Sequence, residues 1–331
     1  MHAIASGQSQ CGETGKETDN VYRLHRKRPI WKSQPRLEKT REKGVAFRTS
    51  PVSRLSRRPE AFLMDAAVFE KFRALVHDRS GISLGPNKES LVSARIAKRM
   101  RCLGIATHEG YLEHVLGDET EMIFLIDAIS TNVTSFFREP DHFNFLRTIV
   151  PQWVAKGQTR FRFWSAASSS GEEPYSLAVT LLDVLQGRNL DVRILATDIS
   201  TRMLDKCREA LYSEERMRNV PRAIRDRYFV PCRSEREILG YSPIEEARRL
   251  IAFRRLNLSQ PPFPMQGPMD AVFCRNVMIY FDNAVRKRLL EDIYRLLKPG
   301  GYLFVGHAES LTGIMSRLVP VRSSVYMKPS K

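Results

Sequence analysis

The sequence predicts an α/β protein, a doubly wound sheet with a small helical bundle in front of it. Three observations carry that expectation. Apolar residues between Ala66 and Ser130 recur at helical spacing. From Arg160 onward, short apolar runs alternate with amphipathic stretches, the order of a largely parallel sheet. The stretch from Arg160 to Val179, RFRFWSAASSSGEEPYSLAV, reads as a buried strand, a turn of small residues and a helix start. That combination marks a ligand site at the carboxyl edge of such a sheet.

At 331 residues the chain is long enough for two domains and a substantial core. Its formal charge of +16 points to an acidic partner: nucleic acid, an anionic surface or an acidic protein. Residues 1–60 hold fourteen Lys/Arg against six Asp/Glu, half of that excess, and show no hydrophobic period. They read as a disordered basic tail. Met64 opens a convincing helix and is a candidate alternative start. The five cysteines (Cys11, Cys102, Cys207, Cys232 and Cys274) are widely spaced, so neither a zinc site nor a disulfide framework is expected. There is no apolar run of membrane-helix length and no signal-peptide core. The expectation is a cytoplasmic protein without metal and without membrane insertion.

Residues 61–130 form the expected helical domain. Val68, Phe69, Phe72, Leu75 and Val76 line one face of a first helix that Gly81 stops. A second helix, Lys88 to Leu103, is expected to bury Leu91, Val92 and Ile96 and to end at Gly104. Its other face carries Lys88, Arg95, Lys98, Arg99 and Arg101, either solvated or a docking surface for an acidic helix or phosphates. Further helices cover His108 to Leu116 and Glu119 to Ile129. Residues 131–152 are then a linker and a short helix. STNVTSFFR (130–138) has no clear period, the Glu139–Pro140 step breaks any helix before it, and Asp141 to Gln152 is helical. A linker crossing a cleft can lend side chains to a ligand beneath it.

Residues 153–331 hold the sheet domain. The first strand contains Phe161, Phe163 and Trp164; the turn is Ala166 to Gly171; Glu172, Glu173 and Pro174 open the helix. Two carboxylates at that position would repel a pyrophosphate. A ligand with an amine, hydroxyls and a positive centre fits better, and S-adenosylmethionine has all three. The alternative is that both acids only complement the helix dipole. The second strand, Asp191 to Ala196, runs into Thr197–Asp198, where an acid meets a ribose in doubly wound folds, although Asp198 is also placed to cap the next helix. Residues 226–256 look like a small antiparallel excursion, with RYFVP and RRLIAFRRL as its strands. Met269 to Cys274 is the fourth strand and leads into RNVMIYF; Ala284 to Leu297 is helical; Tyr302 to Val305 is the fifth strand and Ser324 to Lys328 a final one.

Five blocks in register, TNVTSFFRE (131–139), FWSAASSSGEEPYSLA (163–178), ATDIS (196–200), FCRNVMIYF (273–281) and LKPGGYLFVGHAESL (297–311), make the chain resemble the CheR family. These are chemotaxis receptor protein-glutamate O-methyltransferases that use S-adenosylmethionine and release S-adenosylhomocysteine. The resemblance covers most of residues 66–311 and implies a class I methyltransferase fold. It implies cofactor contacts from Asn132, Thr134, Arg138, Glu172 or Glu173 (the latter preferred), Asp198, Asn257, Leu258, Arg275 and Asn276. It implies catalytic roles for Arg138, which would hold the substrate carboxylate, and Tyr280, which would orient it. The implied partner is the helical cytoplasmic domain of a chemoreceptor, with Arg95 and Arg99 as docking residues. Some members bind a receptor peptide along the antiparallel excursion, through a glycine-flanked turn. Here that loop, CRSEREILGYSPIEEA, holds only Gly240.

Two other readings compete. A nucleic-acid methyltransferase is suggested by the basic charge and by QPPF (260–263), but that motif precedes the fourth strand rather than following it, so no nucleic-acid partner is expected. A non-catalytic scaffold that binds the cofactor is set against the presence of Arg138, Asp198 and Tyr280 together.

Overall fold

The computed structural model describes residues 64–235, 237–314 and 317–330; the basic tail expected over 1–60 lies outside the described residues. Four helices come first: α1 (Ala66–Ser80), α2 (Glu89–Leu103), α3 (His108–Gly117) and α4 (Glu119–Ile129). They enclose a core of Phe69, Phe72, Val76, Val92, Ile96, Tyr111 and Leu125. Three of their N-termini are capped by side chains: Asp65, Thr107 and Asp118 accept the N–H groups of Ala67, Gly110 and Thr120. Leu91, expected inside, is 40% exposed.

The remaining elements alternate as anticipated. They are α5 (Pro140–Ala155), β1 (Arg160–Ser165), α6 (Glu172–Val184), β2 (Asp191–Asp198), α7 (Thr201–Glu209), α8 (Arg222–Tyr228), β3 (Phe229–Arg233), β4 (Ile238–Pro243), α9 (Glu245–Arg249), β5 (Ile251–Arg255), β6 (Met269–Phe273), α10 (Asn283–Leu296), β7 (Leu297–Phe304), β8 (Val319–Arg322) and β9 (Val325–Met327). The main sheet has seven strands in the order β5-β2-β1-β6-β7-β9-β8. The first five run parallel, and β9 and β8 close the edge antiparallel.

Central strands are buried on both faces, which is why β6 is apolar apart from Asp270 and β1 carries its two arginines only in its first half. Phe161 and Phe163 of β1 enter the core shared with α5 and α6, whereas Trp164 enters the opposite one with Leu289, Leu290 and Ile293 of α10. Strand order reverses between β1 and β6, which places the topological switch point at their carboxyl ends.

One element departs from the sequence expectation. RRLIAFRRL does not join the antiparallel excursion; its core, β5, pairs in parallel with β2 at the edge of the main sheet. The flanking arginines suggested a surface ribbon. An edge strand tolerates them, because only Phe253 of β5 is buried while Arg254 and Arg255 point outward. The excursion is the two-stranded β3–β4 pair alone.

Candidate active site

A cavity of about 270 Å³ opens between the bundle and the carboxyl edge of the sheet. The bundle closes one side of it. Gly81, at the C-terminus of α1 with φ 72°, packs so closely on Ser259 that a Cβ there would lie 2.5 Å from the Ser259 side chain. The following segment is then tied to the far wall, where Ser83 N–H donates to the Tyr280 carbonyl at 2.7 Å.

The turn after β1 behaves as a ligand-facing loop. Gly171 has φ 101°, and a Cβ there would stand 2.5 Å from the Tyr212 hydroxyl. Ser169 is also left-handed, with φ 47°. Three more non-glycine residues have positive φ nearby: Asn276, which lines the cavity, and Phe137 and Glu139, which flank the lining residue Arg138. Such conformations persist where the surroundings over-determine them, as at functional sites.

The two acids at the start of α6 separate. Glu172 is fully buried, accepts the Ser170 hydroxyl at 2.7 Å and pairs with Arg216; it does not line the cavity. The expectation that it touches a cofactor is therefore corrected: adjacent helical residues point about 100° apart, so only one of the pair can face the ligand. Glu173 lines the cavity. It accepts the Ser165 hydroxyl at 2.7 Å and pairs with Arg275 at 3.1 Å. Burial pushes its carboxyl above the usual range, against the pull of Arg275. An acid in that state gains most from an incoming cation.

Asp198 ends β2 at the cavity wall. Its two carboxylate oxygens accept the N–H groups of Ser169 at 2.8 Å and Ser200 at 2.9 Å. Burial raises its pKa to about 6, opposed by those bonds and reinforced by Asp127. Each oxygen retains a lone pair for a ligand hydroxyl.

Arg275, 1% exposed, is the buried cation of the site. It pairs with Glu173 on one side and Glu139 on the other, each at 3.1 Å, and donates to the Arg138 carbonyl. Glu139 also accepts from Asn276 Nδ2 at 3.3 Å and from His307 N–H at 3.2 Å. Burial would raise its carboxyl, but Arg275 and these donors hold it below the usual range. Glu309, 4% exposed, accepts four backbone N–H groups, those of Gly306, Asn276, Met278 and Ile279. It shapes the loop that carries Asn276 and Tyr280.

Asn132, Thr134, Arg138, Leu258, Asn276 and Tyr280 all line the cavity. Asn132 anchors the linker by accepting the Ser169 hydroxyl on its carbonyl at 3.1 Å. Arg138 donates to the Val133 carbonyl at 3.0 Å and stays partly exposed. Asn257 lines the cavity too, but its amide is committed to structure: Nδ2 donates to the Arg79 carbonyl at 2.8 Å, and Oδ1 accepts the Ser259 hydroxyl at 2.9 Å.

The two arginines expected to dock a partner also hold the bundle together. Arg95 donates to the carbonyls of Ile129 and Ser130, satisfying the C-terminal end of α4, and to Thr131 Oγ1. Arg99 holds the buried Glu121 at 2.6 Å and stacks over Phe124 at 4.0 Å. Both side chains stay partly exposed, and Arg95 lines the cavity.

Sequence reading missed Glu139 and Glu309 as site residues. Both lie in the quoted blocks, and the only signal was an acid in an otherwise apolar or small-residue turn. Glu139, His142 and His307 also bring candidate ligand atoms within 4.8 Å of one another. The cation that Glu139 already holds is Arg275, which joins burial in lowering His142 to about 3.

A doubly wound sheet with a ribose-type acid after β2, a second acid on α6 and no phosphate-attracting turn defines an S-adenosylmethionine-dependent methyltransferase. The family models agree: residues 132–327 match the CheR methyltransferase, SAM binding domain, and residues 67–130 match the CheR methyltransferase, all-alpha domain. The chain belongs to the CheR methyltransferase family. It is 37% identical over 259 residues to chemotaxis protein methyltransferase 2 of Pseudomonas aeruginosa, spanning 78% of this chain and 91% of that protein. It is 37% identical to the chemotaxis protein methyltransferase of Klebsiella aerogenes, over 79% of this chain and 89% of that one. The Escherichia coli chemotaxis protein methyltransferase is 35% identical, over 81% and 92%. Among the described residues, no helix is long and apolar enough to cross a membrane.

Proposed function

We propose that the chain methylates side-chain carboxylates of specific glutamates on the helical cytoplasmic domain of a chemoreceptor, and so acts in chemosensory adaptation in the cytoplasm. The observation that carries this reading is the sorting of charge in one cavity. Asp198 is buried in its wall and the Glu173 side chain is 12% exposed, while Arg138 and Tyr280 line the same cavity and are partly exposed. The acids suit the amine, sulfonium and ribose of the cofactor; the guanidinium and phenol suit a carboxylate substrate.

Bound S-adenosylmethionine supplies an electrophilic methyl group, which passes from sulfur to a carboxylate oxygen and leaves S-adenosylhomocysteine and a methyl ester. A glutamate is already ionised at neutral pH, so the chain need not supply a strong general base. Its residues have three tasks: Asp198 and Glu173 fix the cofactor, Arg138 holds the substrate carboxylate, and Tyr280 orients its attacking oxygen. Asn132, Thr134, Leu258, Arg275 and Asn276 complete the walls. The named activities of the relatives point the same way.

The test is transfer of labelled methyl from S-adenosylmethionine to purified chemoreceptor cytoplasmic fragments. Base-labile methyl ester on glutamate supports the reading. Tight cofactor binding with no ester on any fragment would favour a scaffold instead.

A further inference from the structure

We propose that three exposed apolar side chains around the cavity, Leu91, Val133 and Ile279, read the substrate residues flanking the methylated glutamate. They would select a helix that carries an apolar side chain one turn from that glutamate. The inference rests on the receptor-helix reading above and adds what that helix must present.

Leu91 and Val133 line the cavity, and Ile279 lies between the lining residues Val277 and Tyr280. Val133 is 78% exposed, Ile279 50% and Leu91 40%. Single exposed apolar residues are ordinary on a protein surface. Leu91 and Val133 differ in lining the cavity that holds Arg138 and Tyr280, with Ile279 on the loop beside it. The linker on either side of Val133 is pinned, by Ser169 Oγ donating to the Asn132 carbonyl at 3.1 Å and Phe137 N–H donating to Ser176 Oγ at 2.9 Å. Val133's own carbonyl accepts from Arg138. Ile279 N–H is held by buried Glu309 at 3.3 Å, and Leu91 stands on α2. These bonds fix the backbone that presents Val133 and Ile279, and the helix does the same for Leu91.

A glutamate that reaches Arg138 and Tyr280 must bring its neighbours onto this rim. On a helix the residues three and four positions away lie about 5–6 Å from it on the same face, within reach of the rim. An apolar neighbour would cover Val133 or Leu91; a charged one set directly against them would lose water to an apolar surface. Lys88, exposed and one turn before Leu91 at the start of α2, favours an acidic residue farther along the same helix. The occupant is therefore an acidic helix with an apolar residue beside its target, rather than a uniformly charged one.

The experiment uses the full chain, labelled S-adenosylmethionine and a purified chemoreceptor cytoplasmic fragment, with the uncharged variants Val133→Ser and Leu91→Ser. KM for the fragment is expected to rise about threefold to tenfold in each variant, with saturating kcat and calorimetric cofactor affinity within twofold of wild type. Replacing the apolar residue of the fragment by serine should raise KM for the wild-type enzyme and add little further to the Val133→Ser defect. An unchanged KM in both variants overturns the inference, as does an equal loss of cofactor affinity. If the wild-type chain forms no ester on receptor fragments, the receptor reading fails and takes this inference with it. Normal wild-type activity with indifferent variants removes this inference alone.

Discussion

Glu309 accepts the backbone N–H of Asn276 at 2.8 Å, and through that bond the last loop of the sheet sets the wall of the active site. The same carboxylate takes Gly306 N–H at 2.6 Å and Met278 N–H at 2.8 Å, with no cation paired to it among the described residues. Four N–H groups around one buried anion act as a nest. Asn276 has φ 58°, which the nest holds in place. In Glu309→Gln one oxygen becomes an amide that faces two N–H donors. The 276–280 loop should shift, and kcat should fall by about 10–100-fold, the scale of a small misplacement of reacting groups. Stopped methyl-transfer assays beside a thermal melt check this; a loss of Tm with unchanged kcat in the remaining folded protein would argue against it.

Arg275 joins Glu139 and Glu173 without access to water, so its loss strands two carboxylates. Removing one partner from a buried pair costs roughly 3–5 kcal/mol. Arg275→Met should lower the urea midpoint accordingly. Arg275→Lys should also fall short, since an ammonium cannot span both acids and the Arg138 carbonyl as the planar fork does.

For Arg138 the expected loss is in rate, not in stability. Its guanidinium is partly exposed and donates to the Val133 carbonyl. Arg138→Ala should stay folded within about 0.5 kcal/mol of wild type, as surface changes usually do. Methyl transfer should drop by on the order of 10² or more, the cost of removing a charge-stabilising donor. Parallel circular-dichroism melts and single-turnover assays read the two quantities, and undiminished turnover would remove Arg138 from the mechanism.

Glu172 and Arg216 predict an asymmetry. Glu172 is wholly buried, whereas the Arg216 side chain is 45% exposed. Arg216→Ala leaves a buried carboxylate with only the Ser170 hydroxyl for support and should cost roughly 3 kcal/mol. Glu172→Gln leaves a guanidinium that water can solvate and should cost less, about 1 kcal/mol. Chemical denaturation of the two variants gives the order, and cofactor affinity of Glu172→Gln at a temperature where it is folded should remain near wild type.

How far the sequence reached can be argued from these residues. Strands such as Met269–Phe273 were legible because burial on both faces leaves a run that is apolar but for Asp270. β5 was placed wrongly because its arginines resemble a surface ribbon, and a parallel edge strand allows the same pattern. Glu173 could be preferred to Glu172 but not separated from it, since the separation depends on the angular position of each on α6. Glu139 and Glu309 were unreadable as site residues because their partners come from distant segments. Glu139 meets Arg275 across 136 positions, and Glu309 meets Asn276 across 33. The intramolecular bonds of Arg95 and Arg99 were hidden for the same reason: a charged face looks free in sequence even where Glu121 or a helix end bonds to it.

Asp198 gives the chain a pH signature whose sign can be worked out. Burial raises its pKa to about 6, above the 3.8 of an unperturbed aspartate. A raised acid stabilises the fold fully only below the unfolded value. That contribution is lost as pH rises through 6, where a buried carboxylate must ionise. Without cofactor, stability should therefore fall modestly between pH 4 and about 6 as far as this group decides it. Cofactor affinity runs the other way, because ribose hydroxyls donate to the ionised form. Above about 6 the affinity should be level, and below it the dissociation constant should rise by up to tenfold per pH unit. Calorimetric titration of S-adenosylhomocysteine from pH 4.5 to 8 measures the slope. In Asp198→Asn the affinity should be lower throughout and the slope below 6 should flatten; a slope that persists in that variant would assign the titration to another group.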